Sequence, residues 1–323
     1  MTSRYDQRGD PLGVLIGTER GLWQLLPGEP LRCILPDLAI DSLDVRGEVA
    51  IAAAPGHGVW QHEGGPATAW RQIWEGDPRC VRVGPDGTRH IGAAPAALLR
   101  AAPDEDEWTA SQSLDSVVRY QRTRSRGPAG SRWELSAIAF PGSALLVAVG
   151  GAGTWLSNDE GRSWMPRSEG INPDVTGLAE HPERSDRVYA NTGGGLFRSE
   201  DGGFSWLQSI TGLDRSVAHS MAVLPGAPDA LVLGAARRAG GAGGALFRSI
   251  DGGVRWIRLI LGDEDEWPEA PLVASLPGSR DTVFTLAAGV IWASHDRGGD
   301  WRPLTDPSAR PTLPPARCLA VAL

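Results

Sequence analysis

Residues 199–206 read SEDGGFSW, and the same arrangement of serine, aspartate, glycine and tryptophan occurs three more times in the chain. All four copies fit Ser-x-Asp-x-Gly-x-x-Trp, and they occupy residues 157–164, 199–206, 249–256 and 294–301. Separations of 42, 50 and 45 residues lie between the successive aspartates of these boxes, Asp159, Asp201, Asp251 and Asp296. A period of about 40 to 50 residues with turn-forming glycines predicts β-propeller blades, each a sheet of four strands.

The residue types in this box are those of a hairpin turn. Serine and aspartate side chains accept hydrogen bonds from backbone N–H groups that a turn leaves unpaired. Glycine takes the positive φ that other residues avoid, and the tryptophan ring packs on the neighbouring sheet. We therefore assign structural roles, not catalytic ones, to the four box aspartates.

Three degenerate copies precede the four complete ones. Strand-like segments start at Gly21, Gly58 and Ala97; Ala97 leads to Trp108 at the distance found in the complete copies, and Gly58 leads to Trp70 with one extra residue. The acidic run at residues 104–107 occupies the position of a box turn. Together with segments that start near 153, 195, 245 and 290, these copies predict seven blades.

The two ends of the chain predict how the ring closes. Residues 318–323 (CLAVAL) resemble an innermost strand, like residues 136–141 and 220–225, and residues 12–17 resemble a second strand. Pairing of these ends would complete the first blade and remove the free sheet edges of an open ring. The prediction is an all-β chain, a single seven-bladed propeller domain over residues 1–323 with four-stranded blades.

Composition limits the function classes. The net charge is −8, which disfavours binding to nucleic acid or to an anionic membrane. All 31 basic residues are arginine, so the chain has no lysine for a Schiff base or a Walker A loop. The three cysteines form no CxxC pair, and residues 1–11 contain no apolar stretch, so we expect a cytoplasmic protein.

The boxes resemble those of the Asp-box (BNR-repeat) propellers, which include sialidases, sortilin-type receptors, xyloglucanases and Ycf48-type photosystem-assembly factors. The opening at residues 14–23 (VLIGTERGLW) is similar to the start of sialidase-like bacterial propellers. The resemblance implies the fold and leaves the function open, because enzymes and non-enzymes share it. The Phe/Tyr-Arg-Ile/Leu-Pro motif of sialidases is missing, which argues against sialidase activity.

A propeller places its box turns on one face and the remaining loops on the other. We call the second face, with the turns between second and third strands and the connections between blades, the crossover face. It surrounds one mouth of the central channel, where we expect a ligand. Polar residues expected there give weak catalytic candidates, Glu19, His57, His219 and Glu269, and candidate ligand-binding arginines, Arg20, Arg79 and Arg237.

Enlarged loops belong to the same face. Residues 119–126 (RYQRTRSR) form either a solvated loop or an anion clamp, and residues 263–266 (DEDE) form either an acidic surface or, less readily, a metal site. Loops extended on one face of a repeat ring mark its binding side. No HxH or HExxH spacing occurs, so we predict no metal and no cofactor.

Two functions remain open. The first is a binding or assembly module, with a small polar or anionic ligand or a protein partner at the channel mouth of the crossover face. The second is a hydrolase or lyase of a sugar-like or small polar substrate at the same mouth, in which Glu19 and Glu269 could provide acid–base catalysis. We favour the first because the repeats carry no catalytic signature.

Overall fold

A computed structural model of the chain describes residues 13–63, 70–111, 113–114, 117, 133–308 and 313–322. It contains 28 strands, numbered in chain order, in seven antiparallel sheets of four. Blade 1 contains β28 Ala316–Ala322, β1 Gly13–Thr18, β2 Gly21–Leu25 and β3 Arg32–Pro36, and blade 2 contains β4 Ser42–Arg46, β5 Val49–Ala54, β6 Gly58–Glu63 and β7 Arg71–Trp74. Blade 3 contains β8 Pro78–Val83, β9 Arg89–Ala93, β10 Ala97–Ala101 and β11 Thr109–Ala110, and blade 4 contains β12 Leu135–Ala139, β13 Leu145–Val149, β14 Gly153–Ser157 and β15 Met165–Pro166.

Blades 5 to 7 follow the same plan. They contain β16 Val175–His181, β17 Arg184–Thr192, β18 Gly195–Ser199 and β19 Leu207–Gln208; β20 Val217–Leu224, β21 Ala230–Ala236, β22 Ala245–Ser249 and β23 Ile257–Arg258; and β24 Leu272–Ser275, β25 Val283–Ala287, β26 Val290–Ser294 and β27 Arg302–Pro303. The predicted seven-bladed propeller with four-stranded blades is confirmed. All seven predicted repeat starts coincide with the first residue of a third strand.

The first blade is assembled from both ends of the chain. β28 pairs with β1 from Gly13↔Ala322 to Thr18↔Ala316, so the C-terminal strand is the innermost strand of blade 1. The predicted strand at residues 318–323 therefore starts two residues earlier, and Leu323 lies outside the described residues. This pairing satisfies the inner edge of β1 and closes the ring.

The hydrophobic core is divided into seven clusters, one between each pair of neighbouring blades. Val14 and Ile16 of β1 pack towards blade 7, whereas Leu15 between them packs towards blade 2. This alternation follows from the two-residue period of a strand, which sends successive side chains to opposite faces of the sheet. Both faces of each blade are thus buried against a neighbour, and no blade has a core of its own.

Small residues let neighbouring inner strands approach each other. The Cys318 thiol donates to the carbonyl of Ile40 in the next blade at 3.5 Å, and a Cβ on Gly17 would lie 2.3 Å from that sulfur. Cys80 repeats the contact with Leu135 O at 3.4 Å, beside Gly92. Burial raises the pKa of the Cys80 thiol to about 12, so this cysteine stays a neutral packing residue.

Blade 5 makes the equivalent contact with its neighbour, but the glycine and the hydrogen-bonding residue are exchanged between its first and second strands. Its inner strand has Gly177 where blades 1 and 3 have cysteine, and its second strand has Asn191 where they have glycine. The Asn191 side-chain amide donates to His219 O of blade 6 at 3.3 Å. A hydrogen bond between blades is therefore retained, although the strand that supplies its donor changes.

Candidate functional site

Hydrogen bonds within each box hold the turn between the third and fourth strands. In blade 5 the buried Ser199 hydroxyl donates to Asp201 Oδ1 at 2.7 Å and accepts the Gly203 N–H at 2.8 Å. Asp201 Oδ1 also accepts the Ser205 N–H at 2.9 Å. The same serine-to-aspartate and glycine-to-serine bonds recur at Asp159, Asp251 and Asp296. Each box aspartate is thus occupied within its own turn.

The residues beside each box join neighbouring blades. The Trp206 indole N–H donates to Arg167 O in blade 4 at 2.8 Å, and Trp108 donates to Ile73 O in blade 2 at 2.9 Å. In the other direction, Arg198 donates to Gly252 O in the box turn of blade 6 at 2.9 Å. We call the face that carries the boxes the box face. These polar contacts on it therefore join neighbouring blades.

The candidate site residues all belong to the crossover face. Glu19 and Arg20 form the turn between β1 and β2, and His57 lies in the turn between β5 and β6. Arg79 and His219 lie within inner strands, near the crossover-face ends of β8 and β20, at β-bulges that displace them from the ladder. Arg237 begins the turn before β22, and Glu269 lies in the connection from blade 6 to blade 7.

Several of the candidates form local ion pairs. Glu19 Oε1 lies 3.1 Å from Arg317, which also contacts Asp41 Oδ1 at 2.5 Å. Arg79 contacts both Asp77 and Glu134 at 3.0 Å. Sequence reasoning missed Arg317, whose partner Glu19 lies at the opposite end of the chain, so that only ring closure brings them together.

A second group holds the glycine-rich turn at residues 237–244. Glu266 Oε2 contacts Arg237 at 3.0 Å and the buried Arg215 at 2.8 Å. Hydrogen bonding from Arg237 keeps the pKa of Glu266 below its usual value. His219 lies below this turn, and burial lowers the pKa of its imidazole, which favours the neutral form. Arg237 is thus a partner of Glu266, and His219 is half-buried.

The remaining candidates have exposed side chains. His57 uses its backbone carbonyl to accept the Gln72 side-chain amide at 2.8 Å, and Arg20 and Glu269 are exposed. The structure therefore brings Arg237 and His219 to one turn, while Glu19, Arg79 and His57 lie in three different blades. We find no pair of unpaired carboxylates facing each other among the described candidates.

An ion triad that was not anticipated crosses the inner strands of three blades. Arg82 of β8 contacts Glu180 of β16 at 2.5 Å and Asp44 of β4 at 3.5 Å. All three side chains are about four-fifths buried, with exposed fractions of 22%, 17% and 19%. Burial raises the pKa of Asp44 despite the nearby arginine. A charged residue within each inner strand was the only sequence signal, and it did not reveal which residues pair.

Carboxylates outnumber arginines in the loops of the crossover face that the structure describes. Apart from Arg167 and Glu169, which lie beside the box turn of blade 5, the arginines in these loops are Arg20, Arg215, Arg237 and Arg238. The carboxylates are Glu19, Asp37, Asp41, Glu75, Asp77, Glu134, Asp174, Asp214, Asp263, Glu264, Asp265, Glu266, Glu269 and Asp306. Exposed carboxylates with no ion pair among the described residues include Asp37, Glu75 and Glu269. Carboxylates are therefore in excess over arginines in the described loops of this face, although Arg79, Arg258 and Arg317 of adjoining strands pair with several of them.

The two runs singled out in the sequence have different outcomes. Residues 119–126, the proposed anion clamp, lie outside the described residues. Within residues 263–266, Asp265 and Glu266 contact Arg258, and Glu264 accepts the Trp267 indole N–H at 3.0 Å. Across the described part of the chain, no group of three or more histidine, cysteine or acidic side chains could hold a metal ion. No helix within that part is both long and apolar enough to cross a membrane.

Comparisons with known proteins identify the fold. No protein-family model matches the chain, and a search of curated protein sequences gives no match. Among solved structures, Ycf48 bound to D1 peptide is 17% identical, with a TM-score of 0.58 over 94% of this chain and 91% of that one. A GH74 xyloglucanase from Xanthomonas campestris is 16% identical, with a TM-score of 0.60 over 89% of this chain and 46% of the enzyme.

A third structure, a putative 6-phosphogluconolactonase from Bacteroides uniformis, is 13% identical with a TM-score of 0.59, over 97% of this chain and 100% of that one. The present chain thus spans less than half of the xyloglucanase and nearly all of the other two. The three proteins differ in what their names say they bind or act on, so at these identities the likeness is one of fold. The chain therefore has the β-propeller fold.

Proposed function

We propose that the chain is a binding or assembly module whose partner is a positively charged protein segment docked at the channel mouth of the crossover face. The observation that carries the proposal is the excess of carboxylates in those crossover-face loops that the structure describes. A surface of one sign attracts the opposite sign and raises the rate of association. Such a module needs no catalytic group, and the likeness to a peptide-bound propeller is compatible with it.

The excess of carboxylates also disfavours the anionic ligand expected from the sequence. Two of the three arginines proposed to hold it, Arg79 and Arg237, already contact carboxylates. An anion would have to displace those partners and enter a region where acidic side chains dominate. A basic segment would meet Asp37, Glu75 and Glu269, which have no ion pair to lose among the described residues.

The hydrolase or lyase alternative receives no specific support. Its proposed acid–base pair was Glu19 and Glu269, but Glu19 shares Arg317 with Asp41, and Glu269 is exposed in another blade connection. A general acid or base needs a position within hydrogen-bond reach of the reacting group. We therefore retain the binding module as the proposed function.

Two matched variants test which face binds. The crossover-face triple variant is Asp37→Asn, Glu75→Gln and Glu269→Gln. The box-face triple variant is Asp104→Asn, Glu107→Gln and Asp300→Asn, which removes the same charge from exposed residues on the opposite face. Each protein is immobilised and used to capture partners from an extract of the source cells, and the captured proteins are identified by mass spectrometry.

We expect the unmodified chain and the box-face triple variant to retain the same partner, and the crossover-face triple variant to lose it. The partner should carry an exposed run of arginine or lysine. A partner that is lost equally from both variants would contradict the placement of the site. A partner with an acidic contact segment would contradict the proposed charge.

A further inference from the structure

Exposed large apolar side chains are concentrated on two neighbouring blades. Of the nine in the described residues, seven belong to blades 5 and 6. Leu207 is 66% exposed, and Ile257, at the same place one blade further on, is 57% exposed. Isolated exposed apolar residues are ordinary, but contiguous groups of them mark interaction surfaces.

Six of these residues occupy three repeated positions. The third residue after the box aspartate is Phe204 in blade 5 and Val254 in blade 6. The residue after the box tryptophan is Leu207 or Ile257, and the fourth residue after it is Ile210 or Ile260. We call these six side chains the apolar rim, because they follow the box turns and outermost strands at the circumference of the propeller.

The fold does not require apolar residues at these positions. Blade 7 has a complete box and the same four strands, yet it has Gly299, Arg302 and Thr305 there. Blade 3 has the exposed Thr109 after its tryptophan. Since blades 3 and 7 form with polar residues at the rim, the four-stranded fold does not require apolar side chains at these positions.

Charged side chains of both signs border the apolar rim. The Arg167 guanidinium lies 3.6 Å from the Phe204 ring centroid and makes no ion pair among the described residues. Arg255 is exposed next to Val254, also without an ion pair in the described part of the chain. Glu169, whose backbone bridges to Ser205, is an exposed carboxylate that also makes no ion pair among the described residues. The surface therefore offers apolar contacts with unpaired charges of both signs at its border.

We propose that the apolar rim is a contact surface for a second copy of this chain, with the two copies related by a two-fold axis. A two-fold contact brings the same surface together twice, so it must be complementary to itself. Apolar side chains satisfy this condition, and arginine of one copy can meet the carboxylate of the other. A lipid surface fits less well, because anionic headgroups would leave the Glu169 carboxylate without a cationic partner.

Side chains, not sheet extension, form the contact. The outermost strands β19 and β23 are only two residues long, and the preceding connections already cover their starts: Trp206 N–H donates to Glu169 O, and Trp256 N–H donates to Thr211 O. Short, covered edges resist pairing with another sheet. Substitution of the exposed rim side chains should therefore change association without disturbing the strands.

Sedimentation velocity of the full chain, from low to high micromolar concentration, tests the proposal. We expect a monomer–dimer equilibrium, and we expect Leu207→Glu and Ile257→Glu each to raise the dissociation constant at least about tenfold, since each places a charge in the apolar contact. Thr109→Glu is the matched control: it adds the same charge at the same repeat position of blade 3, and the dimer should persist. Melting temperatures confirm that each variant is folded, and Leu207→Ser provides a milder second substitution.

The border charges give an independent readout. Arg167→Glu should weaken the dimer, and the double variant Arg167→Glu with Glu169→Arg should recover it, because the exchanged charges can pair again across the two-fold axis. A chain that sediments as a monomer at every concentration would overturn the proposal. So would a dimer that survives both rim variants, or binding to phosphatidylserine vesicles that Leu207→Glu abolishes while the chain remains monomeric.

Discussion

The serine and aspartate of each box share the hydrogen bonds of one turn. The Ser199 hydroxyl accepts a hydrogen bond from the buried Gly203 N–H, while Asp201 Oδ1 accepts one from the Ser205 N–H at the exposed end of the same turn. The sequence sufficed for this assignment, because the chemistry is local and every bond lies within a few residues. The sequence predicted that the tryptophan ring packs on the neighbouring sheet, but not which backbone carbonyls accept from the tryptophan and the arginine, since those partners depend on how far each sheet is rotated from the next.

Box hydrogen bonds should make stability depend on pH in the acid range. Donation from the Ser163 hydroxyl is the leading cause that lowers the pKa of Asp159 to about 2, below its usual value of 3.8. A carboxyl with a lowered folded-state pKa stabilises the fold above its unfolded pKa and loses that contribution as pH falls through the folded value. Asp159→Asn should therefore lower the melting temperature at pH 6, and the difference from the unmodified chain should shrink towards pH 2.

Thermal unfolding followed by circular dichroism across this range checks the expectation. Asp300→Asn, which removes an exposed carboxyl beside the blade 7 box, serves as the control. An Asp159→Asn deficit of the same size at pH 6 and pH 2 would show that the charge of Asp159 does not hold the turn.

At the scale of the strands, the repeat predicted both which segments form strands and where the third strands begin. Third strands begin at Gly21, Gly58 and Ala97 even where the box has been lost, because the apolar alternation of the strand survives there. The exchange of Gly177 and Asn191 in blade 5 was not predictable in the same way. It becomes visible only when the register between the first and second strands is known.

This exchange can be tested by reversing it. Asn191→Gly removes the amide that donates to His219 O and should lower the free energy of unfolding by about 1–2 kcal/mol. Gly177→Ser alone should also destabilise, because its Cβ would lie 3.1 Å from Asn191 Nδ2. The double variant restores the arrangement of blade 6, where Ser220 faces Gly234, and should recover most of the loss. Urea unfolding measures all three, and strictly additive losses would contradict the exchange.

At the scale of the whole molecule, ring closure determines which residues that are distant in sequence lie close together. Blade number and closure followed from counting repeats and from comparing the two ends of the chain. The ion triad did not, because Asp44, Arg82 and Glu180 come from blades 2, 3 and 5 and meet only across the inner strands. Of the candidate residues, Glu19, Arg20, His57, Arg237 and Glu269 lie in loops, whereas Arg79 and His219 lie within inner strands, and none of their carboxylate partners was foreseen.

The triad should contribute measurably to holding the blades together. Arg82→Met removes the cation between two largely buried carboxylates and should lower the free energy of unfolding by about 3 kcal/mol, because breaking a buried pair leaves uncompensated charge. Adding Asp44→Asn and Glu180→Gln removes that charge and should restore most of the stability. If the triple variant is less stable than Arg82→Met alone, the carboxylates are not the source of the loss.

Fluorescence anisotropy with charged peptides tests most directly whether the crossover face or the box face binds a basic segment. A labelled oligoarginine peptide is titrated at low ionic strength with the unmodified chain and with the crossover-face and box-face triple variants, and a labelled oligoglutamate peptide is titrated alongside. We expect oligoarginine to bind the chain, the crossover-face triple variant to bind it more weakly than the box-face triple variant does, and oligoglutamate not to bind. Equal weakening by the two triple variants, or tighter binding of oligoglutamate, would contradict a binding site for a basic segment on the crossover face.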